Sequence, residues 1–112
     1  MRKNVNLKEN VKTQRLIGLA RRAGKLSYGS DGCITDLKKN KSKLIITSSD
    51  ISDKSKKEIE FHLGNTDIIY TDMTKEEMGK LIGIPQTAVL SVKDENFSKG
   101  ILEVNTLYGK SN

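Results

Sequence analysis

The sequence predicts an α/β fold, a three-layer α/β/α sandwich around a mostly parallel four-stranded sheet, and two patterns carry that expectation. Short runs rich in β-branched and apolar residues, around 44–47, 68–70 and 88–92, are each bounded by turn-forming or polar residues. Between them lie segments whose apolar residues recur at helical spacing. Helices alternating with buried strands call for a sheet covered on both faces, joined by right-handed crossovers. With 112 residues, a single domain over 1–112 is expected, its core over about 10–104 and its ends frayed.

The first helix is expected from about Asn10 to Ala23, where Val11, Leu16, Ile17, Leu19, Ala20 and Ala23 have helical spacing and Gly24 provides the stop. Lys25 to Tyr28 reads as a short strand edge. Gly29, Ser30 and Asp31 then offer capping chemistry for a second helix through Cys33, Ile34 and Leu37, ending near the lysines at 38–43. Leu44, Ile45, Ile46 and Thr47 form a buried strand, and Ser48, Ser49 and Asp50 can cap the start of a third helix. That helix is expected from about Asp53 to Leu63, stopped by Gly64. Ile68, Ile69 and Tyr70 make the next strand. Thr74 and Glu77 have the spacing of a capping box before Met78 and Leu81, in a short helix that ends at Gly83. Ala88 to Val92 is again strand-like, and Asp94 caps a last helix carrying Phe97, Ile101 and Leu102. Beyond about Val104 the tail is expected to fray.

Composition narrows the function classes. The net charge of +6 conceals an uneven split: residues 1–43 hold twelve Lys/Arg against three Asp/Glu, a balance of +9, and the remainder balances at −3. A domain with one strongly basic sector favours polyanions, either nucleic acid or an acidic membrane surface. No run approaches the roughly 18 apolar residues of a membrane span, and the basic start lacks the apolar stretch of a signal peptide. A soluble, cytoplasmic protein is expected. One cysteine, Cys33, and one histidine, His62, supply neither an internal disulfide nor a Cys/His zinc site, so no metal or cofactor is expected.

Catalytic signals are weak. No Walker loop, no G-x-G-x-x-G after a strand and no G-x-S-x-G elbow occurs. His62 lies in a charged helix and reads as a surface or half-buried helix residue. Asp50 ends a strand, where α/β folds keep functional carboxylates, but the acidic pair that a phosphoacceptor site needs for magnesium is missing from Lys25 to Tyr28. A cap or turn acceptor is the stronger reading of Asp50, and a small buried residue that of Cys33. No enzyme is expected.

The most distinctive stretch is KLSYGSDGCITDLKKNKSK. Gly29, Ser30, Asp31 and Gly32 stand at a helix N-terminus, where unpaired N–H groups and the positive end of the helix dipole suit a phosphate. Lys38, Lys39, Lys41 and Lys43 come next, either as further phosphate contacts or as the solvated, dipole-complementing end of the helix. The five aromatics, Tyr28, Phe61, Tyr70, Phe97 and Tyr108, form no stacking pair in sequence. If the partner is RNA, the mode that remains is recognition of a folded RNA by backbone, shape and a few base edges, using a helix N-terminus and a loop.

Three segments together resemble a known family. LIGLARRAGKLSYG (16–29), KLIITSSD (43–50) and MGKLIGIPQTAVLSV (78–92) are similar to the opening helix, the central strand and the loop before the last strand of the small RNA-binding proteins related to archaeal ribosomal protein L-seven-Ae, most closely their short bacterial branch. The resemblance covers about 11–103. It implies a three-layer α/β/α protein that binds kink-turns, sharply bent RNA internal loops, and it suggests a monomer associated with the ribosome. In the family, RNA is gripped by a G-x-N-E-x-x-K stretch and an apolar loop. Gly29 matches the glycine here, Asp31 stands for Asn, Gly32 for Glu and Thr35 for Lys, while Ile84, Pro85, Gln86 and Thr87 match the loop. Asp31 cannot donate hydrogen bonds once ionised and repels phosphate. Lys25, Lys38 and Lys39 are the candidates to replace the lysine absent at position 35. The alternative is a protein interaction adaptor that keeps the fold without specific RNA reading.

Overall fold

The structure, a computed structural model, describes residues 2–110. Ten elements succeed one another as β1 (Arg2–Val5), α1 (Val11–Arg22), β2 (Leu26–Tyr28), α2 (Ser30–Lys38), β3 (Leu44–Thr47), α3 (Asp53–His62), β4 (Asp67–Thr71), α4 (Lys75–Ile82), β5 (Val89–Val92) and α5 (Glu95–Lys110). The strands form one sheet in the order β1-β4-β3-β5-β2. It is sandwiched as expected, with two corrections to the sheet.

The sheet has five strands and is mixed. β1 pairs with β4 and β3 with β4 in parallel, whereas β5 runs antiparallel to both β3 and β2. β5 enters from α4 at the same end of the sheet from which β2 leaves for α2, so it lies against its two neighbours. The unforeseen strand is β1, whose Arg2, Lys3 and Asn4 carry no apolar alternation; only Val5 is buried. As an edge strand beside β4 it needs the ladder more than a core side chain. The last helix also continues past the expected end near Val104, to Lys110.

The central strands β3 and β5 are buried throughout, and side chains alternate between two cores. Leu44, Ile46, Ile69, Leu90 and Val92 face α1, α4 and α5, where they meet Ile17, Ala20, Met78, Ile82 and Ile101. Ile45, Ile68 and Val89 face α2 and α3, packing on Cys33, Leu37, Ile59 and Leu63. Burying a Leu, Ile or Val in this way contributes about 1.5–3 kcal/mol each.

Most helices start on a side-chain cap. Asn10 accepts from the Thr13 N–H, Ser52 from that of Ser55, and Asp94 from that of Phe97. Thr74 and Glu77 complete the foreseen capping box of α4. Ser52 rather than Ser48, Ser49 or Asp50 caps α3. The Asp50 carboxylate instead accepts the Lys75 N–H, 2.9 Å away, at the start of α4.

Candidate nucleic-acid interface

Helix α2 differs from the others at its start. Its N-cap is Gly29, which offers no side-chain acceptor, and the first bond of the helix runs from the Cys33 N–H to the Gly29 carbonyl. The N–H groups of Ser30, Asp31 and Gly32 are therefore left to outside partners. Gly29 holds φ 83° and ψ 152°, a region open to glycine and costly for other residues.

The loop after α4 is fastened to this helix start. The Gly29 N–H donates to the Val89 carbonyl at 3.1 Å and to Thr87 Oγ1 at 3.2 Å. Thr87 Oγ1 in turn donates to the Val89 carbonyl at 2.8 Å, and the Thr87 N–H reaches the Lys75 carbonyl at 3.0 Å. Gly29 and Thr87, 58 positions apart, are thus two sides of one site. From the other flank, Ser30 Oγ lies 3.2 Å from Ser55 Oγ of α3.

The shape of the loop depends on a glycine that sequence reading passed over. A Cβ on Gly79 would stand 2.7 Å from Gln86 Cα and from the Ile84 carbonyl oxygen. The 84–86 backbone lies directly on α4, and only glycine admits it. A glycine inside an otherwise apolar helical pattern was the available signal.

The foreseen site residues therefore fall into separate groups. Gly29, Ser30, Asp31, Gly32 and Thr87 come together. Pro85 and Gln86 are exposed on the same loop, whereas Ile84 packs against the core below α1 and α4 and is only half-exposed. Asp31 and Thr35 are exposed, one turn apart on the outer face of α2. The backbones of Lys25, Lys38 and Lys39 stand away from Gly29. β2 and α2 both lead away from Gly29, placing Lys38 and Lys39 about 12–15 Å along the helix from it. Lys39 stands one turn beyond Thr35 on the same helix.

Two neighbours of the site were not foreseen. Tyr28, 45% exposed, immediately precedes Gly29, and the Arg21 guanidinium lies 5.2 Å from its ring centre. That pairing presents a cation stacked on an aromatic face beside the helix start. Its sequence signal, an aromatic against the Gly29 turn, was masked by the lack of a second aromatic nearby.

Cys33 and Asp50 are both engaged within the fold. Cys33 is fully buried, and burial, with the nearby Asp36 carboxylate, pushes its thiol far above the ordinary range. Desolvation would raise the Asp50 carboxyl, but its hydrogen bonds, including that from the Lys75 N–H, hold it below its ordinary value. Among the described residues no group of three His, Cys, Asp or Glu could hold a metal ion. Nor is any described helix long and apolar enough to cross a membrane.

Comparison with known proteins agrees with this architecture. Residues 11–102 match the model of the ribosomal protein L7Ae/L30e/S12e/Gadd45 family. The RNA-binding protein YlxQ of Enterococcus faecium is 32% identical over 94 residues, which span 83% of this chain and 90% of that protein. A protein of unknown function from Bacillus halodurans C superposes with a TM-score of 0.77 at 27% identity, covering 85% of this chain and 97% of the other. The Giardia lamblia 15.5kD RNA binding protein shares the fold with a TM-score of 0.72 at 14% identity, covering 92% and 89%. The helix start tied to a loop before the last strand is thus carried on a shared scaffold, and the chain belongs to the ribosomal protein L7Ae/L30e/S12e/Gadd45 family.

Proposed function

We propose that this protein binds structured RNA of the kink-turn type, without catalysis or cofactor, as a ribosome-associated cytoplasmic monomer. The observation that carries the reading is the Gly29 N–H bond to Thr87 Oγ1, which fixes the uncapped start of α2 beside the 84–87 loop. Unpaired N–H groups of Ser30, Asp31 and Gly32 are suited to phosphate or base-edge acceptors, and the helix dipole favours the negative partner. Pro85 and Gln86 present the loop edge to a base turned out of its stack. Family membership and the RNA-binding relative YlxQ support the same partner class.

Asp31 favours a second reading. An exposed carboxylate in the first turn of α2 complements the helix dipole but competes with RNA phosphate for the same N–H groups. A protein interaction adaptor on the same fold would keep such a residue. Titration into a kink-turn RNA and an unkinked control of equal length, across a salt series, decides between them. Preference for the kinked RNA that persists at high salt supports RNA reading; equal, steeply salt-sensitive binding to both removes it.

A further inference from the structure

Lys25, Lys38 and Lys39 belong to a larger gathering of lysines at the far end of the sheet. Leu26 of β2 and Leu44 of β3 both pair with Val92 of β5. One step further along the same three strands stand Lys25, Lys93 and Lys43. The Lys93 N–H donates to the Lys25 carbonyl and the Lys43 N–H to the Val92 carbonyl, each at 2.8 Å, so this row is held by the ladder itself. Neighbouring strands lie about 4.8 Å apart, which puts three lysine backbones across roughly 10 Å.

Lys38, Lys39 and Lys41 join them from the end of α2. Their turn is fixed by Asn40 in the left-handed region, φ 57°, by the Lys41 N–H on the Asp36 carbonyl, and by the buried contact of Ser42 Oγ with Ser91 Oγ at 2.9 Å. All but the half-buried Lys93 are exposed. Among the described residues Arg2 pairs with Glu60, Lys8 with Glu77 and Lys99 with Glu95, and none of these pairs engages one of the six lysines. Of the nearby carboxylates, Asp94 caps α5 and Asp36 is buried, while Asp67 stands at the start of β4 opposite Leu44.

The helix dipole accounts for Lys38 and Lys39 at the C-terminal end of α2, but not for Lys25, Lys43 and Lys93, which are set on strands. Like charges on neighbouring strands repel. An external anion relieves that repulsion.

We infer that this end of the sheet is a second RNA-binding face, which takes the sugar-phosphate backbone through Lys25, Lys43 and Lys93 with Lys38, Lys39 and Lys41 beside them. It lies about 13 Å along β5 from the Gly29 contact at Val89. It holds RNA by charge and does not depend on what the start of α2 recognises.

The test measures binding of the full chain to a plain RNA duplex and to a kink-turn RNA over a salt series. The triple change Lys25→Gln, Lys43→Gln, Lys93→Gln is compared with the corresponding triple change to Arg. The Gln variant is expected to bind the plain duplex about tenfold more weakly at low salt, with a salt slope shallower by about 2, whereas the Arg variant keeps the wild-type slope. Identical slopes for wild type and the Gln variant overturn the proposal, and so does a loss shared equally by the Arg variant. Failure of the kink-turn reading shows separately, as a wild-type protein that does not prefer the kinked RNA.

Discussion

Helix α2 ends in two different kinds of surface. At its start, Gly29, Thr87 and the 84–87 loop are held by hydrogen bonds and close backbone packing, with Asp31 and the Arg21 guanidinium as the charges beside them. At its other end, lysines crowd a short turn and the adjoining strand row. The first surface is defined by shape, the second by charge. Shape can discriminate among RNAs but is lost with small displacements, whereas charge adds affinity to any phosphate chain and tolerates change. Perturbing one end without the other makes that contrast measurable.

The largest effect is expected from Gly79→Ala. Its Cβ meets backbone atoms of Ile84 and Gln86 rather than a movable side chain, so the loop must shift away from α4. Overpacking of this kind costs about 1–3 kcal/mol, and discrimination between kinked and unkinked RNA is expected to disappear. The salt slope on a plain duplex, set by the lysine end, stays as it was. Denaturant unfolding and the two RNA titrations read both outcomes, and retained discrimination would show that the loop does not shape the site.

Gly29→Ala comes next. No neighbouring atom blocks the new methyl, so the cost is conformational, about 1–3 kcal/mol for leaving glycine-only backbone space. Relaxation at this position swings the first N–H groups of α2 and weakens binding to the kinked RNA more than to the duplex. Thr87→Val ranks below it at about 1 kcal/mol, since the Val89 carbonyl still accepts from Gly29 after the hydroxyl is lost. Thermal unfolding ranks the two. A Thr87→Val variant as unstable as Gly29→Ala would place the strain in the loop instead.

The same contrast explains what could be read before folding. Elements whose signal is local were legible: the apolar runs of β3, β4 and β5, the capping box at Thr74 and Glu77, and the glycine stop at Gly83 all stand where expected. β1 was hidden because an edge strand with three polar residues has neither an apolar run nor alternation. The direction of β5 was hidden because it depends on which end of the sheet α4 delivers the chain to. For the site, Gly29 and Thr87 were identified by resemblance, and the fold joins them. Lys25, Lys38 and Lys39 were grouped with Gly29 because they are near in sequence. Extended strand and helix carry them away from it at about 3.3 and 1.5 Å per residue.

The smallest expected effect is a dependence on acid confined to the shaped end. Glu77 accepts the Thr74 N–H at 2.9 Å. That bond, aided by the Thr74 hydroxyl and the Lys8 ammonium 3.5 Å away, holds its carboxyl below the ordinary value of 4.5. A carboxyl lowered on folding contributes stability that is present above its unfolded value and is lost as pH falls through the lower folded one. The α4 start, whose Lys75 carbonyl receives the Thr87 N–H, therefore loosens in acid below about pH 4.5. Melting curves between pH 3 and pH 7 should show a steeper fall below about pH 4.5 for wild type than for Glu77→Gln, which retains an acceptor for the cap but does not titrate. Parallel falls for the two proteins would mean that the acid sensitivity of the fold arises away from the 84–87 loop.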